Sequence, residues 1–430
     1  MTDADRSEGG GSRRDGVVTR RRLLAATGIL ASGLAGCLND GSGDGDDSAG
    51  SGSDDGTGDQ GADGSDGSDD ADDGDDSGPV AGSSGPDVPL YRYDRAQTGT
   101  HPDATGPTET PSEQWRFQQG SPSTASPTVV GDAVYVGGAA NVHARSRGDG
   151  SKLWGYQTGD ITTTPVVSDG TVYVGSCRGL YALDAEDGSE LWVHEPETDL
   201  GTAGVGAPTP AGDVIVYGSM ARRVYAVNRS DGSLEWEYET ESAVKASPAV
   251  VDGTVYVPTG AGNCYALAVA DGSREWWREF TGILQNAPAV VDGTVYVAGG
   301  GFLRALDAAD GSTVWDVEFG VGIGAAPAVA DGTVYIAISA RNEPNVFAID
   351  ATDGSTTWSY EAPDYVNSSP TVADGIVYVG CEDARLYALD AGDGSKLWRS
   401  QTEFGIASAP TVTGGTAYVT DSQWTYALGE

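Results

Sequence analysis

Leu180-Tyr181-Ala182-Leu183-Asp184, then Asp187-Gly188-Ser189, then Leu191-Trp192-Val193: two apolar runs around an acidic, glycine-bearing turn predict a β-hairpin whose second strand carries a tryptophan. A second hairpin belongs to the same unit. Its form is seen in Val251-Asp252-Gly253-Thr254-Val255-Tyr256-Val257, where Asp-Gly joins runs rich in valine. Each unit therefore holds four short strands. The units recur after Pro127, Pro165, Pro208, Pro248, Pro288, Pro327, Pro370 and Pro410, at spacings of 38 to 43 residues. A period near forty with four strands and an aromatic close to its end marks a propeller blade. No 3.6-residue apolar periodicity supports a helical repeat. The predicted fold is all-β, an eight-bladed β-propeller with four strands per blade.

The tryptophans predict how the ring closes. Trp115, Trp154, Trp192, Trp236, Trp276, Trp315, Trp358 and Trp398 keep the same period, yet Trp115 precedes the first repeat proline. The final unit reaches Tyr426-Ala427-Leu428 without a tryptophan strand of its own. The strand around Trp115-Arg116-Phe117 is expected to complete it, giving a monomeric ring with no open seam.

Composition agrees with this core. Glycine contributes 64 of 430 residues while methionine contributes 2 and phenylalanine 6, so valine, tyrosine and tryptophan must fill the interior. The chain carries 64 acidic and 24 basic residues, which argues against a nucleic-acid partner. Fifteen aspartates and no basic residue lie between Asp40 and Asp76. Such a stretch buries too little apolar surface to offset the entropy of ordering it and is expected to be a solvated tether. Residues 81–430 still hold 45 acidic against 18 basic residues. This excess resembles that of proteins adapted to molar salt, where surface repulsion is screened.

The first 36 residues are expected to be an export signal. Arg20-Arg21-Arg22 precedes an apolar stretch from Leu23 to Leu34 that is too short to span a bilayer. Thr19-Arg20-Arg21-Arg22-Leu23-Leu24 resembles a twin-arginine signal, and Leu34-Ala35-Gly36-Cys37 resembles a lipobox. The resemblance implies cleavage before Cys37 and a lipid on its thiol, which attaches the protein to the outer side of the cell membrane. Residues 37–88 would then be the tether and residues 89–430 the ring. Cys177, Cys264 and Cys381 fall in three different units and are expected to stay unpaired.

Ala182-Leu183-Asp184-Ala185-Glu186-Asp187-Gly188-Ser189-Glu190-Leu191-Trp192 resembles the tryptophan-docking motif of the quinoprotein (PQQ-like) repeat propellers. Ala144, Ala226, Ala266, Ala305, Ala348 and Ala388 open further copies, with Ser146, Asn228 and Ala268 replacing the first aspartate in three of them. Tyr91-Arg92-Tyr93-Asp94-Arg95-Ala96-Gln97-Thr98-Gly99 resembles the short segment that leads into such rings. All eight tryptophans are accordingly expected to be structural, each filling a gap between blades and presenting its N–H to a partner.

The family implies two functional classes. One holds pyrroloquinoline quinone and calcium on the axis and oxidises alcohols or sugars; the other is cofactor-free, includes a lipoprotein of outer-membrane assembly, and binds proteins of the cell envelope. The segments before the repeat prolines, expected near the axis, contain no carboxylate, and Asp364 and Glu403 are among the nearest acids. Calcium wants six to eight oxygen ligands and alcohol oxidation needs a base. The expectation is therefore a non-enzymatic scaffold without quinone or metal. Lys245, Gln285, Asn286 and Asn367 form a candidate polar site at the channel mouth, unless they serve neighbouring strand ends and channel water. Surface polysaccharide binding through Trp277, Tyr365 and Trp424 is a further alternative.

Overall fold

The computed structural model describes residues 87–430 apart from 89, 120–122, 139, 159–162 and 197–205. Arg20, Arg21, Cys37 and the aspartate-rich stretch lie outside the described residues. Turn chemistry sets the local structure. Asp169, Asp252, Asp292, Asp331 and Asp374 have φ between 46° and 49°, and the glycine after each lies between 71° and 81°. Two consecutive positive φ values make the hairpin turn whose twist matches antiparallel strands. Val251 and Thr254 are accordingly paired across Asp252-Gly253.

Among the described residues thirty-two strands form eight four-stranded antiparallel sheets, each ordered along the chain except the last. The three-residue first strands, such as Thr128–Val130 and Ala249–Val251, are buried and touch the first strands of neighbouring sheets, so they surround the axis. Fourth strands, such as Arg274–Glu279, lie outermost and expose alternate side chains. In the eighth sheet the fourth strand is β1 (Ser112–Gln118), paired with Trp424–Gly429. The amino-terminal strand therefore closes the ring, as the tryptophan spacing predicts.

In all eight sheets an alanine sits directly across from the tryptophan, from Ala144 opposite Trp154 to Ala427 opposite Trp115. These alanines are fully buried, and a larger side chain there would displace the indole. Each buried indole then spans to the next blade. Trp154 Nε1 donates to Ala185 O at 2.9 Å and Trp236 Nε1 to Val269 O at 2.7 Å. The glycine of the next blade's outer turn lies beneath the ring: a Cβ on Gly188 would sit 2.5 Å from Trp154. Trp398 breaks the series. Its N–H donates to Pro107 O at 2.9 Å, because the eighth blade has no outer turn of its own and the lead-in segment takes that place.

The lead-in segment also crosses the axis. Val88 pairs with Val129, and Arg95 O, Ala96 O, Thr98 O and Gly99 O accept the N–H groups of Val250, Val290, Val329 and Val372 at 2.7 to 2.9 Å. Tyr93 Oη accepts the Val412 N–H at 2.7 Å. Six of the eight innermost strands thus satisfy inner-edge donors on this one segment, which fills one end of the channel.

Candidate site on the propeller axis

At the end of the axis not filled by the lead-in segment lies a cavity of about 260 Å³. The residues preceding the repeat prolines line it, including Thr124, Thr163, Lys245, Gln285, Asn286 and Asn367, with Tyr91 of the lead-in segment contributing to its wall. Its rim is locked from blade to blade. Ser126 N–H donates to Thr164 Oγ1 at 3.1 Å, Ala409 N–H to Ser126 Oγ at 3.0 Å and Ala326 N–H to Ser369 Oγ at 2.9 Å. Threonines just after the prolines repeat the device one layer deeper. Thr209 Oγ1 donates to Pro248 O at 2.7 Å and Thr411 Oγ1 to Pro127 O at 2.6 Å.

The four candidate side chains all line this cavity, but they divide into two pairs. Asn286 Nδ2 donates to Ala298 O at 3.2 Å and Ile323 O at 3.0 Å, so it ties strand ends together. Asn367 accepts from Ser339 Oγ at 2.9 Å and donates to Glu382 Oε1 at 3.3 Å. Lys245 and Gln285 are exposed and make no side-chain hydrogen bond among the described residues. Of the four, these two are free to meet a ligand.

No carboxylate lines the cavity among the described residues. Asp364 forms an ion pair with Arg341, and Glu403 pairs with Arg116 at 3.0 Å. The acid in contact with the lining is Glu382, through Asn367; nothing in its local sequence distinguishes it. Among the described residues no group of three or more histidine, cysteine or acidic side chains is placed to hold a metal. Cys264 and Cys381 are buried, which pushes their thiols up to about 12. Trp277, stacked on Tyr265 in the fourth blade, is across the ring from Tyr365 and Trp424 in the seventh and eighth, so the three form no single stacking platform.

These features define an eight-bladed propeller of quinoprotein-like repeats, latched by docking tryptophans and completed by its amino-terminal strand. The chain belongs to the family described as outer membrane protein assembly factor BamB, whose signature matches residues 104–247, 239–318 and 299–426. Among solved structures, BamB from Moraxella catarrhalis is 19% identical with a TM-score of 0.63, covering 74% of this chain and 100% of that one. Quinohemoprotein alcohol dehydrogenase from Comamonas testosteroni is 17% identical with a TM-score of 0.69, covering 80% of each chain. A europium-containing methanol dehydrogenase is 14% identical with a TM-score of 0.69, covering 80% of this chain and 98% of that one. At these identities the likeness is one of fold. A comparison with curated proteins finds no match.

The axial donor set does not fit a calcium-bound quinone. Calcium favours several oxygens with carboxylates among them, and abstraction of an alcohol proton needs a positioned base. The described lining supplies hydroxyls, amides, backbone groups and one ammonium.

Proposed function

We propose that the protein is an exported, lipid-anchored β-propeller that binds or assembles other cell-envelope proteins and performs no catalysis of its own. In this reading residues 1–36 are a twin-arginine signal, Cys37 carries the lipid, residues 37–88 are an acidic tether and residues 89–430 form the ring. The observation that carries the reading is the axial cavity, whose described lining holds no carboxylate, with Lys245 and Gln285 among its unengaged side chains. Membership of a family described by an assembly factor supports a scaffold and an extracytoplasmic place for it.

Two measurements on the full chain test the two halves of this reading. Titration with pyrroloquinoline quinone and calcium should show no stoichiometric complex and no reduction of an artificial acceptor by alcohols or sugars; a tight one-to-one complex that turns over would refute the scaffold assignment. Cys37→Ser should move the protein from membrane to medium or leave an unprocessed precursor. Wild-type protein recovered wholly soluble and lipid-free would refute the anchor.

A further inference from the structure

Two blade interfaces carry an arginine at the position whose carbonyl accepts the docking indole. Arg229 O accepts from Trp192 at 3.1 Å and Arg147 O from Trp115 at 2.9 Å. In both, the guanidinium Nε reaches a tyrosine of the preceding blade: Arg229 to Tyr173 at 3.3 Å, Arg147 to Tyr418 at 3.2 Å. There the likeness ends. Arg229 Nη2 donates to Ser168 Oγ at 2.9 Å and to the Asp169 carboxylate. The eighth blade has Gly414-Gly415 where the second has Asp169-Gly170, with a similar backbone, φ 58° at Gly414 against 46° at Asp169. Arg147 Nη1 donates to Gly131 O at 3.4 Å, and among the described residues Nη2 is left buried with no hydrogen-bond partner. An unmade charge-assisted bond in a buried position is costly, and a carboxylate is the group that fits a guanidinium fork.

A cavity stands at the same place. At the ring's seam it reaches about 680 Å³, against about 440 Å³ beside Arg229. It is larger because this blade takes its fourth strand from the amino terminus and lacks the usual outer turn. Trp115, Arg147, Tyr418, Gly414 and Gly415 form part of its wall. Two acids also line it. Asp149 accepts the Ser151 N–H at 2.9 Å, and Glu430 accepts from Thr108 N at 2.7 Å and Thr108 Oγ1 at 2.9 Å, and neither is paired with Arg147 among the described residues. Their charges oppose a polyanion but leave room for one carboxylate brought close to the guanidinium.

We propose that the seam cavity binds a single carboxylate carried on an uncharged body, with the Arg147 guanidinium turning from its covered position to donate into the place that Asp169 occupies in the second blade. This site is distinct from the axial cavity and does not depend on the scaffold reading. The probe is benzoate, with neutral benzamide as its isostere, titrated calorimetrically against the full chain at moderate salt. Benzoate should bind at least about tenfold more tightly than benzamide, the factor expected of one charge-assisted hydrogen bond. Gly414→Asp supplies the carboxylate in cis on a backbone that tolerates it. It should remain folded by circular dichroism and lose benzoate binding, as should Arg147→Gln. Equal binding of benzoate and benzamide, or undiminished benzoate binding by folded Gly414→Asp, would overturn the proposal. So would benzoate binding that emerges only when Asp72, Asp73, Asp75 and Asp76 are changed to asparagine, because the chain's own tether would then be the occupant.

Discussion

Replacing Gly272 and, separately, Gly253 with alanine isolates the tryptophan latch from ordinary backbone strain. Both glycines lie in turns of the fourth blade with left-handed backbone, φ 70° and 81°. Alanine at either position carries the left-handed penalty of about 1–2 kcal/mol. Only one meets a wall. A Cβ on Gly272 would sit 2.6 Å from Trp236 Cε3 and 2.7 Å from Cδ2, whereas a Cβ on Gly253 has nothing within 4 Å. Overpacking adds roughly 1–3 kcal/mol at Gly272, and moving the indole strains its 2.7 Å bond to Val269 O, at a further cost of about 1 kcal/mol. Gly253→Ala should therefore destabilise by about 1–2 kcal/mol and Gly272→Ala by about 3–6 kcal/mol. Guanidinium chloride titration followed by tryptophan fluorescence reads the difference, since its own ions keep the acidic surface screened. Equal midpoint shifts for the two variants would refute the latch as a packed, load-sharing contact.

Stability should rise with salt, because the Debye length falls from about 10 Å at 0.1 M to about 3 Å at 1 M and repulsion among surface carboxylates falls with it; salt-independent thermal melts would contradict this. Deleting residues 81–119 removes the closing strand and the segment on the axis and should abolish cooperative unfolding, whereas deleting residues 40–78 should leave the melt unchanged; matching melts for both would reject the interlocked ring. His143 is held neutral, its pKa lowered to about 4 by burial and then by Arg145 and Lys152, with neither ring nitrogen bonded among the described residues. Its folded pKa lies below the unfolded value of about 6.5, so the stability it contributes is present above that value and is lost as the pH falls toward 4. His143→Leu should show a shallower loss of stability across that window, and parallel pH profiles for variant and wild type would refute the assignment.

The repeat period, the Asp-Gly turns, the tryptophan series and the strand exchange that closes the ring were legible in the amino-acid sequence. They depend on local rules: turn residues need only their own φ, strands need alternation, and a count of Trp115 to Trp398 against the repeat prolines exposes the displaced strand. Apart from Tyr91, the residues of the axial lining were legible for the same reason, as each precedes a repeat proline. Their division was not. Asn286 and Asn367 are occupied while Lys245 and Gln285 are free because the carbonyls and hydroxyls they meet come from other strands. Similarly, Tyr91 to Gly99 resembles a lead-in segment by its residues, but its passage across the axis is decided by bonds to strands up to 319 residues away. That Arg229 has a carboxylate partner and Arg147 has none among the described residues is a matter of tertiary structure for the same reason. A neighbouring blade, distant in sequence, supplies aspartate in one case and glycine in the other, and only the folded ring brings those turns beside the arginines.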